Sequence, residues 1–426
     1  MNAGVSAVAC STDTLQIAKQ AAAEIKPAPW FMMVDEAAEG LPLLTELIKS
    51  PGSAKLPDDV SADDTFAIIY SSGTTGFPKG VMHAQKNFVL SGERHVARVE
   101  TQADDRVLCI LPMFHINALF YSVASAVTAG ATLIIVPRFS ATTFWKTAAE
   151  TGATQVNVIM AVSTILARRS REEFVPTHKL RVVNGAPFTQ EAMDVFKNEF
   201  KVPTVIEGFG MTEIPGAFSN PFKGPHKVAC MGKLGVHADP KVTWTQVRIL
   251  DDDGNDVPEG ETGELAVKIP TLMQGYYKDP EQTAAAFRDG WFLSGDLVKR
   301  DADGYYWFVA RKKDIIRRRG ENVAGAEIDR IVNLHPAVSE SAAIAMPSEL
   351  GEDEIMTVVV KKPDGKVTEQ EIRDWCAHKL AAHKVPRFVV FNESIPHTPT
   401  HKVAKHILKK DTTLRARSVD FQPPKK

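Results

Sequence analysis

The sequence predicts an α/β protein with a large domain of parallel, helix-covered sheet, a small β-barrel-like subdomain and a small α+β C-terminal domain. Its 426 residues suffice for two or three domains, at about 150 residues each. Strand and helix patterns alternate up to residue 210, which is typical of a parallel sheet, and closely spaced turns follow. We therefore expect domains at residues 1–227, 228–310 and 311–426.

The first elements form a βαβ pattern that begins at the start of the chain. Residues 5–9 and 31–34 are apolar and predict strands, and the stretch between them favours a helix. Residues 41–64 are rich in Pro, Ser and Asp and indicate a surface loop. Residues 66–70 predict a strand, which a loop rich in glycine and hydroxyl groups joins to a helical pattern.

The segment between Arg106 and Arg138 carries no Lys, Arg, Asp or Glu and is long enough to span a bilayer. It nevertheless contains proline, histidine, asparagine and glycine. We interpret it as buried strands at 107–111 and 132–136 with a core helix at 118–127 between them. Parallel strands that are covered on both faces are continuously apolar, so we expect no transmembrane segment.

Glycine-containing turns divide the region from 228 to 310 into short strands. They stand at 253–255, 259–260, 289–290 and 303–304. Pairs such as Asp-Gly at this spacing are typical of hairpins, so we expect an antiparallel, barrel-like subdomain.

The region beyond Arg311 indicates a small α+β unit. One of its helices begins at Thr368, because Glu371 three residues further on completes a capping box. The apolar face of this helix consists of Ile372, Trp375, Cys376 and Leu380. The last fifteen residues are polar and basic, and we expect them to be disordered.

Composition argues against several classes of protein. With 50 basic and 52 acidic side chains, the formal net charge of −2 argues against a protein that coats nucleic acid or an anionic membrane. The four cysteines show no CxxC spacing, so we expect neither a zinc site nor a disulfide framework. The N-terminus has no signal-peptide pattern. A reducing, cytoplasmic environment fits best.

The segment from Tyr70 to Gly80 carries the clearest chemical signal. Its glycines let backbone N–H groups surround an anion, its hydroxyls add donors and its lysine adds a positive charge. Phosphate is therefore the expected ligand. Pro78 and Gly80 flank the lysine where a Walker A loop needs Gly and Ser or Thr, so a P-loop enzyme is disfavoured. The predicted phosphate-binding residues are Ser71, Ser72, Gly73, Thr74, Thr75, Gly76 and Lys79.

Further motifs follow in order: Leu-Pro-Met-Phe-His at 111–115, Asn-Gly-Ala-Pro at 184–187, Gly-Phe-Gly-Met-Thr-Glu at 208–213, Ser-Gly-Asp at 294–296, Arg-Lys-Lys-Asp at 311–314, Arg-Arg-Arg-Gly-Glu-Asn-Val at 317–323 and Pro-His-Thr-Pro-Thr-His-Lys-Val at 396–403. Together with the 70–80 segment they resemble the adenylate-forming superfamily of acyl-CoA synthetases, luciferases and peptide-synthetase adenylation domains. The resemblance covers residues 5 to about 410, and the order of the motifs is more specific than any one of them.

The resemblance implies a nucleotide site in the large domain. There His115 would border the acyl carboxylate and the thiol entrance. Phe209 would stack on adenine, Thr212 would bind the α-phosphate and Glu213 would hold magnesium, which agrees with a π face, a hydroxyl donor and a hard oxygen ligand. The remaining implied nucleotide contacts are Gly185, Ala186, Pro187, Gly208, Gly210 and Met211.

The resemblance also implies that the small domain is mobile. Asp296 would accept hydrogen bonds from the ribose hydroxyls, Arg311 would reach the ribose and Lys313 would be the pivot. Lys402 would be the lysine of the adenylation step. The loop that shapes the CoA tunnel would contain Arg317, Arg318, Arg319, Gly320 and Glu321.

Three features depart from the family pattern. Ala310 and His401 stand where the family usually has glycine, and His401 puts the efficiency of the first half-reaction in question. Family members also carry a further segment before the point where this chain starts. We expect the chain to be a fragment of a longer protein rather than a true truncation.

The activity that the resemblance implies is that of an ATP-dependent acyl-CoA synthetase with Lys402, Thr212 and His115 as catalytic residues. A small carboxylic acid would react with ATP to give acyl-AMP and pyrophosphate, and CoA would then take the acyl group and release AMP. Residues 319–329 look most like crotonobetaine/carnitine-CoA ligases and bacterial fatty-acid-CoA ligases. An adenylation domain for an amino or aryl acid, a luciferase-like oxygenase and a non-catalytic nucleotide-binding remnant remain alternatives.

The role of Lys402 gives a first testable prediction. Substitution Lys402→Ala should abolish formation of acyl-AMP from acid and ATP, because the amine stabilises charge on the phosphate in that step. It should largely spare thioester formation from supplied acyl-AMP. Both half-reactions are followed separately, by pyrophosphate release and by AMP release. Equal loss of the two would refute the assignment.

Overall fold

The computed structural model describes nearly the whole chain. The described residues are 3–49, 52, 58–71, 78–185, 187–239, 241–318, 321–347, 353–397 and 403–421.

The first hundred residues form two small sheets and a long helix. Their elements are β1 (Ala7–Cys10), α1 (Leu15–Ala22), β2 (Trp30–Met33), α2 (Leu44–Leu47), β3 (Thr65–Ser71), β4 (Lys79–Ala84) and α3 (Gln85–Val99). Strands β1 and β2 pair in parallel, which confirms the βαβ prediction. The predicted surface loop at 41–64 contains the one-turn helix α2.

One prediction about the phosphate segment is wrong. The segment was expected to lead from a strand into a helix, but it joins the antiparallel strands β3 and β4, and α3 begins only at Gln85. The reason is that the residues after Lys79 pair with β3, with Val81 opposite Ile69, and bury Val81 completely.

A seven-stranded sheet forms the centre of the large domain. Its elements are β5 (Arg106–Cys109), α4 (Ala124–Ala129), β6 (Thr132–Ile135), α5 (Phe144–Glu150), β7 (Gln155–Asn157), α6 (Met160–Arg168), β8 (Val182–Gly185), α7 (Gln190–Asp194), β9 (Thr204–Met211), β10 (Ile214–Ser219) and β11 (Lys233–Leu234). The strand order is β11-β10-β9-β8-β7-β5-β6. Strands β6, β5, β7, β8 and β9 are parallel to one another, as predicted. Strands β10 and β11 extend the sheet in antiparallel orientation.

The former membrane candidate is part of this sheet. Strands β5 and β6 flank a helix that begins as a π-helix at Asn117–Val123 and continues as α4, in agreement with the three predicted pieces. Within the described residues, no helix is both long and apolar enough to cross a bilayer.

The next region is antiparallel, as the turn signals predicted. It contains β12 (Gln246–Leu250), β13 (Gly263–Lys268), β14 (Gly275–Tyr276), α8 (Pro280–Ala285), β15 (Phe287–Arg288), β16 (Trp291–Arg300) and β17 (Tyr306–Arg311). Strands β12, β13, β16 and β15 are neighbours, and β17 also pairs with β16. Strand β14 instead joins β4, which links this region to the hairpin that bears the phosphate segment.

The C-terminal region is an α+β unit with two sheets. Its elements are β18 (Ile315–Arg318), β19 (Glu321–Ala324), α9 (Gly325–Asn333), β20 (Val338–Pro347), β21 (Asp353–Lys361), α10 (Glu369–Ala377), β22 (Phe388–Phe391), α11 (Lys405–Leu408), α12 (Leu414–Arg417) and β23 (Val419–Asp420). Strands β18 and β19 form a two-stranded sheet, and the four-stranded sheet has the order β20-β21-β22-β23. The capping box at Thr368 and Glu371 is present at the start of α10.

The prediction of a disordered tail is wrong for the residues up to 421. Leu414 is completely buried, and β23 pairs with β22. The Asp420 carboxylate accepts two hydrogen bonds of 2.8 Å from Arg387. Apolar contacts of Leu414 and Phe421, the pairing of β23 with β22 and an ion pair therefore fix a segment whose composition indicated disorder.

A buried carboxylate ties together the amino ends of three parallel strands. Asp105, just before β5, accepts hydrogen bonds from Arg181 Nε at 2.9 Å, Thr154 Oγ1 at 2.7 Å and Gln155 Nε2 at 2.8 Å. The donors belong to the starts of β7 and β8. Burial raises the pKa of Asp105, but the hydrogen bonds from Arg181 and its neighbours lower it to a net value below 3.8.

We therefore expect Asp105→Ala to lower the free energy of unfolding by about 2–4 kcal/mol at pH 7, since the side chains of Arg181, Thr154 and Gln155 and the Gln102 N–H lose their acceptor. The exposed neighbour Asp104 provides the matched control, and Asp104→Ala should change stability by less than about 0.5 kcal/mol. The effect should shrink as the pH falls below about 4, because protonation removes the stabilisation that a lowered pKa represents. Urea unfolding measures the effect of each variant and its pH dependence. Equal effects of Asp105→Ala and Asp104→Ala would contradict the stabilising role of Asp105.

Candidate active site

Several predicted site residues lie outside the described residues, and their roles stay predictions. They are Ser72, Gly73, Thr74, Thr75, Gly76, Ala186, Arg319, Gly320 and Lys402. The two ends of the phosphate segment are described: Ser71 and Lys79 face each other as the last pair of the β3–β4 hairpin.

Lys79 and Glu213 both contact Tyr276, the lysine over its ring and the carboxylate at its hydroxyl. The Lys79 ammonium is 4.9 Å from the centre of the Tyr276 ring, and the Tyr276 hydroxyl donates to Glu213 Oε1 at 3.1 Å. Burial and the negative charge of Glu213 both raise the pKa of Tyr276, so the phenol stays protonated and can donate. The lysine of the phosphate segment and the predicted magnesium ligand are thus brought together by strand β14, which pairs with β4.

His83 and Asn87, two residues that the sequence analysis missed, connect the turn that carries Thr212 to β4 and α3 by hydrogen bonds. His83 Nε2 lies 2.8 Å from the Thr212 carbonyl oxygen, and Asn87 Nδ2 lies 3.0 Å from His83 Nδ1. Burial lowers the pKa of His83 to about 4, so the ring is neutral and donates through Nε2. The sequence offers no signal for this contact, because His83 and Thr212 are 129 residues apart in the chain.

A third residue that the sequence analysis missed is Glu207, in the strand that leads to the Gly-Phe-Gly-Met segment. Its Oε1 accepts the Phe188 N–H at 2.7 Å, and both carboxylate oxygens lie 3.2 Å from the Ala229 nitrogen. Phe188 directly follows the predicted adenine turn, in which Gly185 ends β8 and Pro187 follows. Burial raises the pKa of Glu207 to about 7, although these backbone hydrogen bonds lower it.

The segment from Gly208 to Met211 ends strand β9. Phe209 pairs with Phe218 of β10, and the two ring centres are 5.9 Å apart with an edge contact. Met211 pairs with Ile214 across the turn, and Gly210 is exposed. The predicted stacking ring therefore packs partly into the core beneath β9 and β10.

Asp296 and Arg311 are brought together, as their predicted shared ligand requires. They are partners in the register of β16 and β17, and Arg311 Nε lies 2.7 Å from Asp296 Oδ1. Asp296 is completely buried. Arg311 therefore ends the antiparallel sheet and begins the connection to the C-terminal region.

Lys313 lies in that connection, on a single 3-10 turn. Burial lowers its pKa, the carboxylate of Asp314 raises it, and the positive charges of Arg311, Lys409 and Lys79 lower it further. The predicted pivot therefore has several positive charges around it, which disfavour its protonated form.

The remaining predicted residues have mixed environments. His115 is half-buried, with its ring centre 4.4 Å from that of Phe114, whereas Arg317 and Glu321 are exposed. Arg318 is buried: Nη1 donates to the carbonyls of His383 and Val385 at 3.0 and 2.7 Å, and Nε lies 2.6 Å from Glu354. Its predicted contact with CoA stays a prediction beside this structural role.

The donor set at Glu213 suits a magnesium ion that arrives with a nucleotide. In the described parts of the chain, no group of three or more His, Cys, Asp or Glu side chains could hold a metal. Magnesium in nucleotide sites is commonly bound by one or two carboxylates together with substrate phosphates. One buried carboxylate beside Lys79 fits that arrangement.

Comparisons with protein families cover most of the chain. Residues 2–277 match the family of AMP-binding enzymes, and residues 327–402 match the AMP-binding enzyme C-terminal domain.

Known relatives are CoA ligases. The chain is 34% identical over 342 residues to sulfoacetate–CoA ligase of Cupriavidus necator, which covers 79% of this chain and 65% of that protein. It is 33% identical over 374 residues to the long-chain-fatty-acid–CoA ligase FadD13 of Mycobacterium tuberculosis, covering 87% and 72%. The chain thus spans about two thirds of the length of these relatives.

A solved structure confirms the predicted fold class. ATP-bound MatB from Rhodopseudomonas palustris is 28% identical and aligns with a TM-score of 0.83 over 96% of this chain and 79% of that one. Its likeness supports a mixed α/β chain with a large N-terminal and a smaller C-terminal domain.

The raised pKa of Glu207 predicts a pH effect on stability. Between its ordinary pKa of 4.5 and the folded value of about 7, the folded protein holds a proton that the unfolded chain releases. The free energy of unfolding should therefore fall as the pH rises through this range, by on the order of 3 kcal/mol relative to Glu207→Gln, which cannot titrate.

Urea unfolding at pH 5, 6, 7 and 8 measures this difference. The exposed Glu172 is the matched control, and Glu172→Gln should run parallel to the wild type. A constant difference between the wild type and Glu207→Gln across the series would contradict the assignment.

Proposed function

This chain belongs to the AMP-binding enzyme family, and we propose that it is an ATP-dependent acyl-CoA synthetase. It would activate a carboxylic acid as acyl-AMP, with release of pyrophosphate, and transfer the acyl group to CoA, with release of AMP. The CoA ligases among its relatives support this reaction class.

One observation carries the proposal: the approach of Lys79 and Glu213 through Tyr276. A polyphosphate needs a fixed positive charge and, with its magnesium ion, a carboxylate, and these two groups contact the same tyrosine. Asp296 and Arg311 add a carboxylate and a guanidinium in contact with each other, which suits the paired hydroxyls of a ribose.

The proposed chemistry gives each charged or polar group of the site one role towards the phosphates. Lys79 would hold the β- and γ-phosphates, and Thr212 would donate to the α-phosphate from a turn that His83 steadies. Lys402 would stabilise the charge that develops on phosphorus, mainly as a positioned electrostatic group. Magnesium, when bound at Glu213, supplies further positive charge to the phosphate oxygens.

The second half of the proposal concerns the C-terminal region. We propose domains at 1–227, 228–310 and 311–426, with the small domain rotating about Lys313 so that Lys402 leaves and the 317–323 loop approaches CoA. Arg317 is exposed and positively charged, which suits contact with a phosphate-bearing thiol. Glu321 is exposed as well. One site used in two conformations explains why a hinge is needed.

The finer parts of the proposal concern the acid and the compartment. The names of the relatives include a sulfonated two-carbon acid and long-chain fatty acids, and they do not agree on one substrate. The proposal of a fatty-acid or carnitine-related substrate rests on residues 319–329. A cytoplasmic site of action is supported by the four cysteines, which are all buried and free within the described residues.

The decisive experiment is a panel of acids read by CoA-dependent release of AMP and of pyrophosphate. It should be run on the chain and on the protein with any upstream coding sequence restored. AMP release that requires acid, ATP and CoA is expected. Retained ATP binding with no turnover of any acid in either protein would favour a non-catalytic remnant.

Substitution Lys79→Gln tests the site within this experiment. It should raise the KM for ATP by about 10- to 100-fold, because a charge-assisted contact to phosphate is lost. Lys86, seven residues along and paired with Asp63 at the surface, is the control. Lys86→Gln should leave the KM for ATP within about twofold. Equal KM values for the two variants would contradict the placement of the phosphates.

A further inference from the structure

The loop that ends in Lys402 is fixed at both of its ends. Lys402 and the four residues before it lie outside the described residues, but His397 and Val403 on either side form an antiparallel bridge. The Ala404 N–H donates to the Pro396 carbonyl oxygen at 2.8 Å, and Ala404 is buried. The loop therefore leaves and re-enters the C-terminal region at one closed base, and Lys402 directly precedes that base in the sequence.

A largely buried ion pair holds the chain just after this base. Lys405 Nζ lies 2.5 Å from Asp329 Oδ2, and the two side chains are 14% and 17% exposed. Lys405 is the first residue of α11, and Asp329 belongs to the two-turn helix α9. The longer helix thus fixes the ammonium group and, through it, the start of α11.

Asp329 is itself held in one orientation. Its Oδ1 accepts the Ala343 N–H of β20, so each carboxylate oxygen has a different partner. A Cβ atom at Gly325 would lie 3.1 Å from the Ala343 carbonyl oxygen and 3.3 Å from Lys405 Nζ, so the backbone of α9 approaches closely. Burial raises the pKa of Asp329, and the charge of Lys405 lowers it. The carboxylate therefore joins α9, β20 and α11 at one point.

The position of this pair in the chain suggests more than stability. Burial of an ion pair costs desolvation energy, so apolar side chains of similar volume often stabilise a fold equally well. A carboxylate with two fixed partners adds direction, because it accepts the ammonium from one side. The proposed role of Lys402 requires accurate placement, since a shift of about 1 Å in a catalytic group can cost about 100-fold in rate. The pair lies three residues from that lysine.

We propose that Asp329 is a positioning residue for the adenylation step: through Lys405 it holds the base of the loop that ends in Lys402. The inference rests on the proposed function, in which Lys402 stabilises the charge on phosphorus. In this role Asp329 contacts neither nucleotide nor acid, and it fixes the chain from which Lys402 extends. The thioester step, in which Lys402 has left the site, does not depend on it.

Substitution Asp329→Asn tests the proposal, because asparagine keeps an acceptor for the Ala343 N–H and removes the negative charge. It should lower kcat for acyl-AMP formation, read by pyrophosphate release, by about 10-fold or more, with the KM for ATP within about threefold. Thioester formation from supplied acyl-AMP should stay within about twofold. Lys405→Arg, which keeps the charge, should adenylate faster than Lys405→Gln.

Glu327, on the same helix, provides the matched control. It also forms an ion pair, 2.8 Å from Lys384 Nζ, but this pair joins α9 to the 3-10 turn at Ala382–Lys384 instead of to α11. Glu327→Gln should leave the ratio of the two half-reactions within about twofold of the wild type. A merely structural role of Asp329 would lower both half-reactions with the folded fraction, which thermal unfolding measures.

Hydrogen exchange at the loop base gives a readout that needs no turnover. The Ala404 amide is protected by its hydrogen bond to Pro396. Asp329→Asn should speed its exchange by about 10-fold or more, because the base opens more often without the ion pair. Glu327→Gln should leave the exchange of this amide within about twofold.

The outcomes separate this inference from the proposed function. Equal loss of both half-reactions in folded Asp329→Asn, or loss of neither, overturns the positioning role and leaves the synthetase proposal standing. If Asp329→Asn does not fold, equal adenylation rates of Lys405→Arg and Lys405→Gln overturn it, and a faster Lys405→Arg supports it. No turnover of any acid by the wild type rejects the synthetase proposal. Exchange at Ala404 then decides the anchoring: faster exchange in Asp329→Asn supports it, and unchanged exchange overturns it.

Discussion

The approach of β14 to β4 is the contact on which the rest of the site depends. This short pairing carries Tyr276 under Lys79 and delivers its hydroxyl to Glu213, so that elements about two hundred residues apart in sequence share one small volume. A cation and a buried carboxylate would otherwise be expensive to hold so close without direct pairing. Tyr276 satisfies both, through a cation–π contact and a hydrogen bond.

The parts of the fold that follow local rules could be predicted from the sequence. The parallel strands of the large domain, the hairpin turns and the capping box at Thr368 depend on hydrophobic period, glycine placement and side-chain capping within a few residues. The strand β4 could not be predicted from the sequence, because Lys79–Ala84 is extended only where it pairs with β3 and β14. The ordered tail depends likewise on distant partners, Arg387 and β22.

The candidate site shows the same division. The family resemblance pointed to Glu213, Asp296 and Arg311, and the fold brings the last two into contact. Glu207 and His83 carry no motif of their own, and their roles arise because their partners are backbone groups of other segments. The buried charge of Asp329 was equally unreadable, since a helical aspartate is most often solvated and only three-dimensional packing removes its water.

The ion pair of Asp296 and Arg311 lies where the antiparallel sheet meets the connection to the small domain. Arg311 belongs at once to the last strand of the antiparallel sheet and to the first residues of the connection towards Lys313. A sugar that competes for the Asp296 carboxylate would loosen or re-aim the guanidinium at the root of that connection. If the proposed ribose contact and the proposed rotation of the small domain share this arginine, reciprocity requires that each alter the other's equilibrium by the same factor.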